Sequence, residues 1–470
     1  KPSIRYRPRC SHSPFGLSTF MTMAYIIALN PNLLTGFTAN GGQELWNAVF
    51  LATCIASAFG TILMAFIANK PFAMSAGMGL NSFFAVVVAN IATIAGVSYL
   101  EGFRAGLCII LIEGIVFIIL SALNVREKIV QAIPLGVRLG ISPAIGLMLL
   151  NIGFGSNAGV YSETGGPFYA MANFFGSLTA SYAKDTMGSG YPVMVLTVIT
   201  MFVGLFTIVA LDHKKVKGSV LYGILTGSVI YWAGEYFVLH INPFASLATA
   251  SWLPPFKDMA TLTLFKFDFN VLKSLGMFTV VTLVLTFCII DMFDTIGTLV
   301  GAASRANMLD ENGNMPNMKE ALLSDACGTV CGAITGTSTI TTFVESASGV
   351  EAGGRTGLTS LVTGLIFLAC MFISPIAAII PAAATSSALI YVGILMLQGL
   401  KNIDFDDISV CVPVFIMLVA MPISGSIGHG IGLGLIAYTI IKFITGKAKE
   451  VSPLTLVLSI LFLVKFFFAF

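Results

Sequence analysis

Long apolar runs alternate along the chain with short charged or Gly/Pro-rich breaks. These runs predict bilayer-crossing segments near 15–35, 47–69, 74–93, 104–123, 133–154, 191–211, 217–239, 275–302, 320–337, 340–350, 357–374, 380–399, 407–422 and 425–444, because about 20 mostly apolar residues span a membrane's hydrocarbon core. Two of these fourteen, 74–93 and 340–350, are too short or too rich in Gly, Ser and Thr for ordinary helices. The β-branched run Thr339-Ile340-Thr341-Thr342 favours a short strand before a half-helix. The apolar tail from Leu454 to Phe470 contains Lys465 and fits either a fifteenth span or an interfacial helix.

Composition turns this pattern into a class. Of 470 residues, 56% are hydrophobic and 10% charged, against the ~25% charged typical of soluble domains. The fold class is therefore an all-α polytopic membrane protein, with no room for a large soluble catalytic domain. A net charge of +2 offers no basic face for nucleic acid. Residues 1–14, KPSIRYRPRCSHSP, form a basic lead-in without the apolar stretch of a signal peptide. With this end inside the cell, inner loops carry Lys70, Arg126, Lys128, Lys214, Lys215, Lys217, Arg305, Lys319, Arg355, Lys401, Lys442, Lys447 and Lys449. Outer loops carry only Arg104, Lys184, Lys257, Lys266 and Lys273, the bias that sets a cytoplasmic N-terminus. The eight cysteines lie mostly in apolar runs and read as small core residues; Cys327 and Cys331 lack the partners of a zinc site.

An internal repeat is also legible. Aligning Pro134 with Pro381 lays Ile145-Gly146-Leu147-Met148-Leu149-Leu150-Asn151 on Val392-Gly393-Ile394-Leu395-Met396-Leu397-Gln398 without a gap. These are the fifth and twelfth spans. An odd separation of seven inverts one copy relative to the other, as in many secondary transporters. The same shift pairs the third span with the tenth, PFAMSAGMGLNSFF (71–84) with GTSTITTFVESASG (336–349). Paired interrupted spans point to a binding site, because broken backbone needs a cavity or ligand to satisfy it.

Four carboxylates inside predicted spans stand out: Glu113, Asp291, Asp294 and Glu345. Ionisable groups there are costly and usually functional. Asp291 and Asp294 are three apart and share a helical face, and desolvated neighbouring acids have raised proton affinity, which suits proton coupling. Glu113, standing alone, reads as a structural hydrogen-bond partner. Asn81, in the third span, offers donors and acceptors suited to a heterocycle's edge. Arg138 reads as snorkelling and His429 as part of a packing face. Asp310-Glu311-Asn312-Gly313-Asn314-Met315 lacks the glycine and glutamate positions of a calcium loop. No dinucleotide or Walker motif and no metal cluster is present, so an ion gradient, and no cofactor, drives any transport.

Several strings resemble the AzgA-like purine permeases: Thr19-Phe20-Met21-Thr22-Met23-Ala24-Tyr25-Ile26 with Asn30-Pro31, Ser75-Ala76-Gly77-Met78-Gly79-Leu80-Asn81, Asp291-Met292-Phe293-Asp294-Thr295-Ile296-Gly297-Thr298-Leu299, and Thr341-Thr342-Phe343-Val344-Glu345-Ser346-Ala347-Ser348-Gly349-Val350 followed by Gly353-Gly354-Arg355-Thr356-Gly357-Leu358-Thr359. The resemblance runs from about residue 16 to the end; residues 1–14 depart from the family's amphipathic lead-in. It implies proton-coupled uptake of adenine, guanine and hypoxanthine across the plasma membrane, on the fourteen-span inverted-repeat fold of the uracil permeases. It implies Asp291 and Glu345 as main purine ligands, Asn81 and Asp294 in support, and Thr22, Gly79, Phe293 and Ser346 lining the cavity. Asp291, Asp294 and Glu345 are the proton-coupling candidates. Family analogy divides the chain into a lead-in (1–14), core segments 15–125 and 275–376, gate segments 126–274 and 377–450, and a tail (451–470), with the core carrying substrate past the gate. A homodimer is compatible with this reading. The alternatives are a facilitative uniporter, or a symporter of xanthine, urate or uracil; an anion carrier fits poorly with acidic interrupted spans, and an enzyme lacks any nucleophile or cofactor motif.

Overall fold

The computed structural model describes residues 13–36, 40–123, 134–157, 191–248, 250–305, 308, 315–343, 345–351, 353–424 and 427–468. The lead-in up to residue 12 and the 310–314 loop lie outside the described residues. The main helices in chain order are α1 (Ser13–Met23), α2 (Ile26–Leu34), α3 (Gly42–Leu63), α4 (Met78–Ala95), α5 (Tyr99–Ala122), α6 (Leu135–Ile152), α7 (Tyr191–His213), α8 (Ser219–Phe237), α9 (Met277–Arg305), α10 (Met318–Thr335), α11 (Ser346–Glu351), α12 (Gly357–Ala369), α13 (Ala382–Leu397), α14 (Ile408–Ser424), α15 (Ile427–Ile444) and α16 (Pro453–Phe468). Eight described helical segments are long and apolar enough to cross a membrane. This is a multi-pass membrane protein.

The apolar runs became helices because a chain in lipid must satisfy its own backbone. Three predicted spans differ from a simple helix. The first predicted span is interrupted at Ala24–Tyr25, between α1 and α2. The two Gly/Ser/Thr-rich segments each open with a strand, β1 (Met74–Ala76) and β2 (Ile340–Thr342), before their helices α4 and α11. The strands pair antiparallel, Ser75 opposite Thr341. Gly77 N–H to Thr339 O (3.2 Å) and Phe343 N–H to Ala73 O (3.0 Å) extend the pairing at both ends. Threonines on the flanking helices satisfy the outer edges. Thr61 of α3 exchanges hydrogen bonds with the Met74 backbone, and the Thr329 hydroxyl of α10 donates to Ile340 O.

Helices pack in two sets. In one, α3 and α5 lie against α10, α3 and α1 against α12, and α4 against α5. In the other, α6 packs on α13 and α14, α7 on α8 and α13, and α14 on α15. The tail helix α16 lies along α15, where the Ser459 and Thr439 hydroxyls meet at 2.8 Å. Contacts between the sets include those of α1 with α8, of α2 with α13, of α4 with α6, and of α9 with α6, α15 and α16.

Candidate functional site

The crossing of β1 and β2 delivers two half-helices and α9 to one region of the structure. Glu345 stands at the entrance to α11, half-buried, and its Oε1 accepts the Tyr25 phenol at 2.6 Å. The break between α1 and α2 places that phenol, since Tyr25 is the turn residue before α2 and only 2% exposed. Thr22, one helical turn earlier, donates to Thr19 O at 2.8 Å and lies 3.3 Å from the Glu345 carbonyl. Close packing of α1 on α11 needs Gly349, where an added Cβ would collide with the Thr19 hydroxyl.

On α9, Asp291 is fully buried and Asp294, one turn on, is partly open. Asp294 faces the start of α4: a Cβ added at Gly77 would sit 3.5 Å from its Oδ2. That end of a helix favours a negative charge. Asp294 also interacts electrostatically with Glu345 and with Asp325 of α10. Asp325 is itself fully buried. The Thr295 hydroxyl lies between two acids, 3.1 Å from Asp291 Oδ1 and 3.0 Å from Asp325 Oδ1. A hydroxyl has one hydrogen to donate. It either shares that hydrogen between the two acids or donates to one and accepts from the other when that acid is protonated. The arrangement leaves room for a proton between Asp291 and Asp325.

Other expected site residues lie close by, with their polar atoms engaged in structure. Asn81 is fully buried, donating to Asn30 Oδ1 at 2.6 Å and accepting from the Ser338 hydroxyl. Asn30 in turn donates to Thr53 and Thr337, so one polar network ties α2, α3, α4 and the approach to β2. The Ser346 hydroxyl accepts from Ala73 N–H at 2.9 Å. Gly79 is buried in the first turn of α4. Glu113 accepts from Thr339 at 3.1 Å, linking α5 to β2. Phe293 belongs to α9, but its side chain lies outside the described residues. His429 packs its ring 5.5 Å from Phe466 of α16. A cavity of about 420 Å³ opens elsewhere, between α4, α9, α15 and α16, lined by Phe83, Asn90, Thr282, His429 and Phe466 and by none of these carboxylates.

Residues 11–427 match the model of Xan_ur_permease, described as a permease family. The chain belongs to that family. It is a transporter, not an enzyme. Among similar proteins are the adenine permease AdeP of Escherichia coli strain K12, 35% identical over 96% of this chain and 92% of its own length. The guanine/hypoxanthine permease PbuO of Bacillus subtilis strain 168 is 36% identical over 96% of each. Among solved structures, the transmembrane domain of the cyanobacterial bicarbonate transporter BicA superposes with a TM-score of 0.60 at 14% identity, covering 89% of this chain and 96% of that one. SLC26A9 gives 0.63 at 11%, covering 93% and 65%. At such identities these two likenesses concern the fold alone.

Sequence reasoning missed Asp325, Thr295, Asn30 and Tyr25. Asp325 carried the same signal as the other acids, an ionisable side chain within a predicted span (320–337). The other three carry no charge at neutral pH; they lie in the strings that carry the resemblance, but only their geometry gives them partners at the site.

Proposed function

We propose that this permease imports the purine nucleobases adenine, guanine and hypoxanthine by proton symport through alternating access. The bridging of Asp291 and Asp325 by Thr295 is the observation that carries the reading, since it gives one buried cluster the means to hold a proton beside ligand-facing acids. Glu345 and Asp291 are the main purine acceptors, because a carboxylate takes a base's N–H groups in charge-assisted hydrogen bonds. Asp294 shares in proton coupling with both. Phe293 stacks on the ring, and Thr22, Gly79 and Ser346 shape the cavity. Asn81 holds the half-helix through Asn30 and Ser338.

A fourteen-span, seven-plus-seven inverted repeat is part of this reading. The contacts of α3 with α10, β1 with β2 and α6 with α13 each join segments that the repeat makes equivalent. In this reading α1 to α5 and α9 to α12 are the moving core, and α6 to α8 and α13 to α15 the gate. The lysine and arginine distribution supports a cytoplasmic N-terminus in the plasma membrane. The names of the relatives AdeP and PbuO support the choice of purines.

Uptake of labelled hypoxanthine into proteoliposomes tests it, with and without an inward proton gradient and with adenine, guanine, xanthine and uracil as competitors. Gradient-driven accumulation blocked by adenine and guanine is expected. Equilibration without accumulation would mean a uniporter, and competition by xanthine or uracil alone would mean another base.

A further inference from the structure

We infer that Tyr25 sets which purine edge Glu345 accepts, and so acts as a specificity-determining residue; this rests on the purine reading of the same site. The phenol donates to Glu345 Oε1 at 2.6 Å and is almost wholly buried, at 2% exposure. Its position is fixed from both sides. It occupies the break between α1 and α2, and α1 is held close to α11 by the Gly349 contact. A phenol this close draws negative charge from Oε1 and fixes the plane of the carboxyl group. Oε2 is left as the stronger acceptor.

Purines differ in what they bring to such a group. Guanine presents two adjacent donors, N1–H and the exocyclic 2-amine, which match both oxygens of a carboxylate. Hypoxanthine presents N1–H without the amine. Adenine presents the 6-amine beside an N1 acceptor. With Tyr25 on Oε1, the second donor of guanine finds an acceptor already engaged, so guanine gains little over hypoxanthine. Tyr25→Phe keeps the ring and removes the competing hydroxyl. Oε1 is then open to the 2-amine.

The experiment is equilibrium binding of guanine and hypoxanthine to purified full-length protein, wild type and Tyr25→Phe. The affinity ratio of guanine to hypoxanthine is expected to rise about tenfold in the variant, the effect of one hydrogen bond to a charged acceptor. A ratio that stays constant while both affinities change together would show a structural role and overturn the inference, as would a ratio that falls. The wild type supplies a second measurement that needs no folded variant. There the two purines should bind within about threefold of each other, and a guanine preference beyond about tenfold overturns the inference. If wild-type protein binds no purine at all, the functional reading itself fails, and that result is distinct from a wild type that binds purines with an unchanged ratio on substitution.

Discussion

Gly146 and Gly393 face each other so closely that a Cβ added to either would lie 2.7 Å from the other's carbonyl oxygen. The surroundings are reciprocal as well. A Cβ added at Gly146 would lie 3.4 Å from the Leu397 backbone nitrogen and one at Gly393 3.3 Å from that of Leu150, and the alignment of Pro134 with Pro381 makes Leu150 and Leu397 equivalent. Small residues at such a crossing let two membrane helices approach. Gly146→Ala and Gly393→Ala should each destabilise the protein by about 1–3 kcal/mol, the usual effect of overpacking. Because both methyl groups push on one contact, the double variant should cost less than the sum. Thermal unfolding in detergent measures all three, and strict additivity would contradict a shared contact.

Glu345→Gln keeps size and shape but replaces one carboxylate oxygen by a donor. The expected loss of hypoxanthine and guanine affinity is about 2–3 kcal/mol, the range for a hydrogen bond to a charged group. Wild-type affinity in a correctly folded variant would remove Glu345 from the site.

Asn81 separates a binding role from a scaffolding one. Asn81→Ala leaves the Asn30 oxygen and the Ser338 hydroxyl without their partner in a buried place, which should lower stability by about 1–3 kcal/mol. The midpoint of thermal unfolding should fall, while any protein that remains folded binds purine with near wild-type affinity. A stable variant that has lost binding would instead make the amide a direct ligand.

The outline of the fold was legible because lipid imposes a simple rule: apolar runs of spanning length become helices, and the exceptions stand out by their Gly, Ser and Thr content. Both exceptions hold a strand, and Asp291, Asp294 and Glu345 were visible as charges where charge is costly. What could not be read was partnership. That Thr295 joins Asp291 to Asp325 depends on how α9 crosses α10, and that Tyr25 reaches Glu345 depends on a break in the first span. Both bring together residues far apart in the chain, and no local periodicity encodes their meeting. At Asn81 the amide suits a heterocycle's edge, and its contacts with Asn30 and Ser338 are a further partnership that the sequence did not disclose.

The Asp291–Thr295–Asp325 arrangement gives the sharpest test of proton coupling. An asparagine at 325 can donate permanently to Thr295 Oγ1, as a protonated aspartic acid would, while Thr295 continues to donate to Asp291. Asp325→Asn should therefore fold and bind purine, yet lose the dependence of uptake on pH, because the site no longer gains or releases a proton. Wild-type uptake should rise as the external pH falls; the variant's should stay flat and reach only equilibrium with the outside concentration. Asp294→Asn should act differently, impairing accumulation with some binding retained, because Asp294 interacts with Asp325 and Glu345 without sharing the Thr295 bridge. Thr295→Val supplies the control. It leaves both acids in place but removes the hydroxyl between them, so binding should weaken along with coupling. If Asp325→Asn kept the wild-type pH profile, the coupling proton would have to reside elsewhere in the cluster, with Asp291, Asp294 and Glu345 as the remaining acids.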